Sequence, residues 1–319
     1  MKQFSYNTSP GLRFAISEFE QHRQRIVLTP LSPKDELRSR WDTLINRIHA
    51  LLTLAGYTTS KKDLTTVLTE MHTGKTRGTT LALIGGIKEA TDLIRRSYLV
   101  SSRHITIQTI ETLTSTVYPK ELGLYARALR THEAAINGLL DYLSPQQEHP
   151  LITASVAFIH MLAINPFDRD STILASLLFH LFLHTKGYDA RGLICVESLW
   201  QRDKEIYEGV TTQARESGNY TAWLEYAAQT AVTNLSDIEK SLNQPAIRHE
   251  LPGAFFDLND RQHAILSILE QPDQKISNKD VKKRFKISQI TASRDLSKLS
   301  RLGLLYPHGK GRSVYYTRV

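Results

Sequence analysis

The groups best placed for chemistry in this sequence lie in a short polar turn inside its longest apolar stretch. Either of two carboxylates, Asp168 or Asp170, could offer a metal ligand, and Arg169 between them could bind an anion. The first residue, Asn165, is an amide, which cannot act as a general base near neutral pH. We favour a local ion-pair cluster of the two aspartates and the arginine over new chemistry. The turn consists of Asn165, Pro166, Phe167, Asp168, Arg169, Asp170, Ser171, Thr172 and Ile173.

Three other features could carry chemistry, but each has a simpler structural explanation. His180 and His184 lie one helical turn apart and could chelate a metal, yet no third ligand is evident, so we expect a structural role. The fragment Gly74-Lys75-Thr76 lacks the upstream glycine and the preceding strand of a phosphate-binding loop. Cys195 is the only cysteine, which excludes an intramolecular disulfide and a multi-cysteine zinc site.

The polar turn must be held by the two apolar runs on either side of it. These runs, ASVAFIHMLAI before the turn and ILASLLFHLFLHTK after it, predict two core helices. Neither reaches the roughly 18 apolar residues of a membrane span. The N-terminal sequence MKQFSYNTSPGLRF has no apolar run typical of a signal peptide. We therefore expect a cytoplasmic protein with no membrane partner.

The charge distribution divides the chain. Its 319 residues suggest about two domains. From Lys275 to Val319 there are 12 Lys and Arg against 2 acids, a net +10; the whole chain is +8, so the first 274 residues sum to about −2. A basic domain beside a near-neutral body favours an anionic polymer as partner. We predict an N-terminal helical region at 1–100, a second helical domain at 101–245, a linker at 246–258 and a basic domain at 259–319.

The basic domain has the pattern of a winged helix-turn-helix, with three helices and a glycine-tipped β-hairpin. Ser277 and Ser288 are predicted N-caps of the second and third helices, and Gly303 ends the third. The hairpin surrounds the segment Pro307-His308-Gly309-Lys310-Gly311. Helices are predicted over residues 260–270, 277–285 and 288–302.

The third helix of this domain leaves small polar and basic side chains outward if Ile290, Leu296 and Leu299 face the core. Amides and guanidinium groups read base edges in the major groove, while hydroxyls and wing cations contact phosphates. The predicted partner is double-stranded DNA. The predicted DNA-binding residues are Ser288, Gln289, Thr291, Ser293, Arg294, Lys298, Lys310 and Arg312. The stretch TASRDLSKLSRLGLL, followed by GKGRSVYY, resembles the winged helices of bacterial transcription regulators.

The middle of the sequence, from about Ile105 to Ala231, resembles a Fic (Fido) domain. The likeness rests on YARALRTHEAAI, on HPLITASVAFIHMLAINPF, on the apolar helix that ends in Gly187-Tyr188, and on GNYTAW from Gly218. Fic proteins often carry an N-terminal helical region and a C-terminal winged helix. The resemblance therefore implies a mainly α fold: a Fic-like helical bundle with N-terminal helices, followed by a small winged helix-turn-helix domain of three helices plus a β-hairpin.

The Fic signature, HPFx[DE]GNGR, gives each residue a physical task. The histidine takes a proton from the target hydroxyl, the acid holds Mg²⁺, the Gly-Asn-Gly backbone binds phosphate and the arginine clamps the terminal phosphate. In register, this chain keeps only Pro166 and Phe167. The histidine, the acid, the first glycine and the arginine are replaced by Asn165, Arg169, Asp170 and Ile173. We therefore expect a degenerate Fic-like domain at 101–245 that transfers no AMP.

These patterns favour a DNA-binding transcription regulator built on a catalytically silent body. No cofactor is expected, with ATP and Mg²⁺ required only if residual nucleotide binding survives. A homodimer remains an open expectation, because many winged-helix regulators bind DNA as dimers. Two alternatives stay open: a Fic-type adenylyltransferase that transfers AMP to protein hydroxyls with rearranged residues, and a protein-interaction scaffold that needs neither activity.

Overall fold

The computed structural model describes residues 4–70, 79–97, 104–144, 148–243, 258–269, 274–302, 304–308 and 314–318. Within these ranges the chain forms fifteen α-helices and one three-stranded sheet. The helices are α1 (Pro10–Leu28), α2 (Pro33–Leu54), α3 (Lys61–Glu70), α4 (Thr79–Ser97), α5 (Ile107–Val117), α6 (Leu122–Thr131), α7 (Glu133–Leu143), α8 (Pro150–Ile164), α9 (Ser171–Thr185), α10 (Val196–Arg202), α11 (Lys204–Ser217), α12 (Thr221–Asn243), α13 (Asp260–Ile268), α14 (Asn278–Phe285) and α15 (Gln289–Arg301). The strands are β1 (Ile276–Ser277), β2 (Leu305–His308) and β3 (Tyr315–Arg318).

The described residues divide into two compact units. The first contains the described residues up to 243, apart from 31–41 and 68–70. The second contains those two segments and the described residues from 258 onward. Most of the N-terminal helical region at 1–100 thus shares a unit with the helical body. Of the predicted linker at 246–258, only residue 258 lies within the described ranges.

Helices α8 and α9 form the centre of the first unit, as their apolar sequences predict. Every residue from 151 to 162 and from 173 to 183 is buried, which is the burial expected of helices that are apolar on all sides. The ring of Phe158 stacks on Trp223 of α12, with centroids 5.1 Å apart. The indole nitrogen of Trp223 donates to the Ser155 carbonyl at 2.8 Å. None of the described helices has the length and hydropathy needed to span a bilayer.

The N-terminal segment and α1 form hydrogen bonds with α12 and with the residues just before it. The backbone N–H of Ser5 donates to the Gly218 carbonyl at 2.9 Å, and the Tyr220 N–H donates to the Ser5 carbonyl at 2.8 Å. Further along, His22 Nδ1 lies 2.6 Å from the Glu239 carboxylate. These bonds explain why α1 belongs to the same unit as the helical body.

Two local features shape the helices around the centre of the first unit. Helices α10 and α11 are separated at Asp203, whose φ of −104° and ψ of 46° are not helical. The Arg202 guanidinium holds the Asp203 carboxylate at 2.8 and 3.1 Å, which favours the break. The segment 122–131 forms α6, because its apolar residues recur at helical spacing despite Gly123.

The second unit has the predicted three helices and a β-hairpin. Strand β3 lies between β1 and β2, and both pairings are antiparallel, with Ile276 opposite Tyr316. Strand β1 was missed because it has only two residues. Ser277 and Ser288 cap α14 and α15 as predicted. The core consists of Ile265, Leu269, Ile276, Val281, Ala292, Leu296, Leu299 and Leu305.

Gly86 lets α4 pass close to the end of α5. A Cβ at Gly86 would lie 2.3 Å from the Val117 carbonyl oxygen, a separation that requires the backbone to move. A Cβ at Gly123 in α6 would meet no atom within 4 Å. We expect Gly86→Ala to lower the free energy of unfolding by about 1–3 kcal/mol through overpacking, whereas Gly123→Ala should leave it unchanged or raise it. Urea unfolding of both variants tests this, and equal midpoints would contradict the close approach.

His160 in α8 makes the stability of the first unit depend on pH. Burial lowers its pKa to about 4, and its Nδ1 lies 2.7 Å from the Tyr220 hydroxyl. An unfolded histidine titrates near pH 6.5. Between about pH 6.5 and 4 the unfolded chain therefore binds a proton that the folded chain does not, and stability falls as pH falls. Urea midpoints at pH 7 and pH 5 should differ less for His160→Gln than for the unchanged protein; an equal difference would rule out this role.

Candidate functional site

The turn between α8 and α9 begins with a left-handed residue. Asn165 ends α8 with φ 52° and ψ 54°, a conformation that asparagine tolerates better than most residues, and its N–H donates to the Met161 carbonyl at 3.0 Å. A short 3-10 helix over Asp168–Asp170 leads into α9. The N–H of Phe167 donates to the Ser171 hydroxyl at 2.9 Å. The local hydrogen bonds thus fix the backbone of the turn without a ligand.

The side chain of Asp170 is the centre of this site. It is only 6% exposed, and each of its carboxylate oxygens accepts a tyrosine hydroxyl. Tyr57, which follows α2, donates to Oδ1 at 2.8 Å, and Tyr125 of α6 donates to Oδ2 at 2.6 Å. Hydrogen bonds to a charged acceptor are stronger than those between neutral groups. One carboxylate therefore ties two separate elements, the segment after α2 and helix α6, to the turn.

Aromatic rings fill the space around this carboxylate. Tyr118, at the end of α5, stacks on Tyr125 with centroids 3.9 Å apart. Phe167 meets Tyr125 edge-on, with ring centroids 4.8 Å apart. The Arg169 guanidinium lies over the Tyr57 ring, 4.1 Å from its centroid. The turn is thus packed against three tyrosines that come from outside it.

The tyrosines remain protonated donors at physiological pH. Burial first, and the Asp170 charge second, raise the pKa of Tyr118. Burial and the hydrogen bond to Asp170 raise the pKa values of Tyr57 and Tyr125. Phenols with raised pKa values are poor general bases at neutral pH. The site therefore has donors for a carboxylate, and these three phenols do not act as general bases near neutral pH.

A cleft of about 490 Å³ opens beside the turn. Its walls include Tyr57, Tyr118, Tyr125 and Asp170, and Arg169 stands at its side with a largely exposed side chain. The cleft therefore combines aromatic surface with a buried anion.

The remaining residues of the turn have different environments. Asp168 is exposed, has φ 50°, and makes no ion pair among the described residues. The predicted ion-pair cluster forms only in part, because Arg169 Nε lies 3.8 Å from Asp170 and Asp168 is not involved. Ile173 is fully buried in α9, where it packs in the core. Pro166 and Ser171 are buried and Thr172 is half-buried.

The two histidines of α9 have separate partners. His180 Nε2 lies 2.7 Å from Glu197, and His184 Nδ1 lies 2.6 Å from Asp189. Although burial opposes it, interactions with His180, Arg47 and Ser176 lower the pKa of Glu197 to about 2. Among the described residues, no three His, Cys, Asp or Glu side chains are grouped as metal ligands.

The two remaining candidates from the sequence carry no chemistry that the structure describes. Cys195 is buried, and burial raises the pKa of its thiol to about 11, so it is a poor nucleophile. Its N–H donates to the Asn234 side chain at 2.9 Å. The fragment Gly74-Lys75-Thr76 lies outside the described residues.

Helix α15 of the second unit presents a polar face, with one correction to the sequence prediction. Ile290, predicted to face inward, is 66% exposed. An offset of six residues at 100° per residue places it about 120° around the helix from Leu296. The buried side is formed instead by Ala292, Asp295, Leu296 and Leu299.

Sequence prediction missed Asp295 as a structural group because an aspartate in a basic helix is expected at the surface. Its carboxylate accepts from Arg261 Nε at 2.5 Å and from Gln262 Nε2 at 2.7 Å. Both donors belong to α13, so a buried carboxylate fixes α15 against α13. This contact sets which face of α15 is left outward.

The predicted DNA-binding residues fall into three groups. Ser288 and Thr291 form the N-cap of α15. The Ser288 hydroxyl accepts the Thr291 N–H at 3.1 Å and lies 2.9 Å from the Thr291 hydroxyl. Gln289, Ser293 and Arg294 are exposed, and their side chains have no hydrogen bond within the described part of the chain. Lys298 is half-buried, and Lys310 and Arg312 lie outside the described residues.

Helix α14 adds basic residues that the sequence prediction did not single out. Their side chains are exposed, and they lie in, or directly after, the helix that precedes the one expected to read bases. Cations at such positions contact phosphates. The net charge of +10 over residues 275–319 could have indicated these residues, because the basic residues of this segment lie in and directly after α14 as well as in α15 and the hairpin. These residues are Lys279, Lys282, Lys283, Arg284 and Lys286.

Asp170 should be the residue of the turn that matters most for stability. Asp170→Asn replaces charge-assisted hydrogen bonds by neutral ones and presents a donor to one of the two phenols. We expect it to lower the free energy of unfolding by about 1–2 kcal/mol. The matched control Asp168→Asn, at an exposed site, should change it by less than about 0.5 kcal/mol. Equal urea midpoints for the two variants would contradict the role of the buried carboxylate.

Comparisons with known proteins agree with this architecture. A model of the DeoR-like helix-turn-helix domain matches residues 261–314. A Fic family protein from Desulfovibrio desulfuricans is similar in structure, with 13% identity, a TM-score of 0.63, and coverage of 99% of this chain and 98% of that one. A Fic domain containing signaling protein from Bacteroides thetaiotaomicron has 16% identity, a TM-score of 0.57, and coverage of 75% of this chain and 100% of that one. Comparison with curated proteins gives no significant match.

The comparisons confirm the fold expected from the sequence. The structural similarity extends over nearly the whole chain, although identities of 13% and 16% establish a shared fold and nothing finer. The match at 261–314 covers the three helices and most of the hairpin region of the second unit. The chain is therefore a mainly α-helical protein with the fold of Fic family proteins and a DeoR-like helix-turn-helix domain at its C-terminal end.

Proposed function

We propose that this protein is a sequence-specific DNA-binding transcription regulator built on a catalytically silent Fic-like body. The observation that carries the proposal is the outward face of α15 in the DeoR-like domain. Gln289 and Arg294 are exposed there with no internal hydrogen bond in the described residues. Amide and guanidinium groups in this position make bidentate contacts with adenine and guanine. The exposed lysines of α14 supply phosphate contacts beside them.

The silence of the body is supported by three replacements in the turn. Asn165 cannot serve as a general base, and its side chain stands where the Fic signature has histidine. Asp170 puts a buried negative charge, held by two phenols, where phosphate would approach. Ile173 is buried and apolar where the signature has a phosphate-binding arginine. On this proposal the protein needs neither ATP nor Mg²⁺.

The proposal also has consequences for location and assembly. A regulator of transcription acts where the DNA is, so we place it in the cytoplasm. Helix-turn-helix proteins commonly bind two half-sites as symmetric dimers. We propose a homodimer on this ground, with half-sites separated by about one helical turn of DNA or a multiple of it.

The test is DNA binding by the full-length protein. A duplex is selected from a random-sequence pool, and its affinity is measured by fluorescence anisotropy over a salt series, against a scrambled duplex of the same composition. The selected duplex should bind more tightly, and log K should fall linearly as log salt rises. Arg294→Ala should weaken binding to the selected duplex about 10- to 100-fold.

Arg127→Ala is the matched control for this measurement. Arg127 is an exposed arginine of α6 in the first unit and should not contact DNA on this proposal. Equal losses for the two variants would assign the affinity to total charge, and no selected duplex at moderate salt would exclude the regulator. A stable protein complex without salt-sensitive DNA affinity would favour the scaffold instead.

A nucleotide-dependent transferase is the second candidate, favoured by the cleft beside the turn. The exposed Arg169 side chain could bind an anion there. This candidate predicts that label from α-labelled ATP is incorporated into a protein hydroxyl in the presence of Mg²⁺. We expect no incorporation, because the base, the backbone phosphate site and the clamp are all replaced.

A further inference from the structure

Ile290 is an exposed apolar side chain in an otherwise polar surface. It is the second residue of α15 and is 66% exposed. Among the described residues of the second unit, no other large apolar side chain is exposed to this degree. A single exposed apolar residue at an arbitrary surface position requires no explanation. The exposure of Ile290 can be explained by its position in the first turn of α15.

Ile290 lies in the middle of the outward face of α15. At 100° per residue, Ser293, Arg294 and Ser297 fall within about 60° of it around the helix. The buried residues Ala292 and Leu299 lie on the opposite side. The isoleucine therefore belongs to the same surface as Arg294, one helical turn before it, and contributes nothing to the core.

The major groove offers one apolar group to such a side chain, the 5-methyl group of thymine. The N-terminal residues of a recognition helix are the ones that contact base edges, and Ile290 is among them. Its branched side chain has no polar atom, so it can gain from DNA only by burying apolar surface. If Ile290 faced a phosphate or a polar base edge, that group would be left without a hydrogen bond.

We propose that Ile290 selects a thymine in each half-site by contacting its 5-methyl group, beside the base pair contacted by Arg294. The inference rests on the proposed DNA-binding function and makes it more specific. It predicts that part of the sequence preference comes from a methyl group and not from a hydrogen bond. Removing either the methyl group or the isoleucine side chain should cost affinity, and removing both should cost no more than removing one.

The test uses the selected duplex, resynthesised with deoxyuridine at one thymine position at a time. Deoxyuridine lacks only the 5-methyl group and keeps every hydrogen-bonding group of thymine. For the unchanged protein, one position per half-site should show a loss of about fourfold, the value expected for burial of one methyl-sized group. Ile290→Ala should bind the thymine duplex at least fourfold more weakly and should not distinguish it from the deoxyuridine duplex.

Ile206→Ala is the matched control, since Ile206 is a similarly exposed isoleucine, 59% exposed, on α11 of the first unit. It should keep both the affinity and the thymine preference. Ile290→Val, which keeps a branched apolar side chain, should retain most of the preference. Circular dichroism of each variant checks that the helices are intact.

Three outcomes separate this inference from the function on which it rests. Loss of the thymine preference in Ile290→Ala alone supports it. If the selected duplex binds tightly but no position is sensitive to deoxyuridine, the inference about Ile290 is overturned while DNA binding stands. The same holds if the thymine preference persists in Ile290→Ala. Failure of the unchanged protein to select any duplex overturns both.

Discussion

The carboxylate of Asp170 is the group on which the centre of the first unit depends. It is buried, yet both of its oxygens are occupied by the hydroxyls of Tyr57 and Tyr125. A buried charge is tolerated only when it is hydrogen-bonded, so the ends of α2 and α6 must lie where these donors can reach it. Tyr118, stacked on Tyr125, then fixes the end of α5. The turn that could have held a ligand is instead part of the packing.

A second buried carboxylate has the same role in the second unit. Asp295 is held by Arg261 and Gln262, so the face of α15 that carries it is turned toward α13. The opposite face, with Ile290 and Arg294, is thereby left outward. In both units an aspartate at an apparently functional position is a structural group. In the second unit, the exposed residues of α15 lie on the side of the helix opposite to its buried residues.

The sequence predicts the parts of this structure that depend on local patterns. The uniformly apolar runs of α8 and α9 predict the core, and the spacing around Ser277 and Ser288 predicts two capped helices. It does not predict the environment of Asp170, because Tyr57 is 113 positions away and the pairing arises only in the fold. The prediction for Ile290 was wrong because Ile290 lies about 120° around the helix from Leu296. The buried face is completed instead by Asp295, a residue that sequence rules place outside.

On the proposed function, the protein binds DNA through its second unit and does not bind nucleotide at the turn between α8 and α9. The most direct test is the thermal midpoint of the full-length protein alone, with ATP and Mg²⁺, and with a duplex selected from a random pool. A ligand that binds the native state raises this midpoint by an amount that grows with the logarithm of its concentration relative to Kd. We expect a rise with the duplex and none with ATP and Mg²⁺. A rise with ATP and Mg²⁺ and none with the duplex would contradict it.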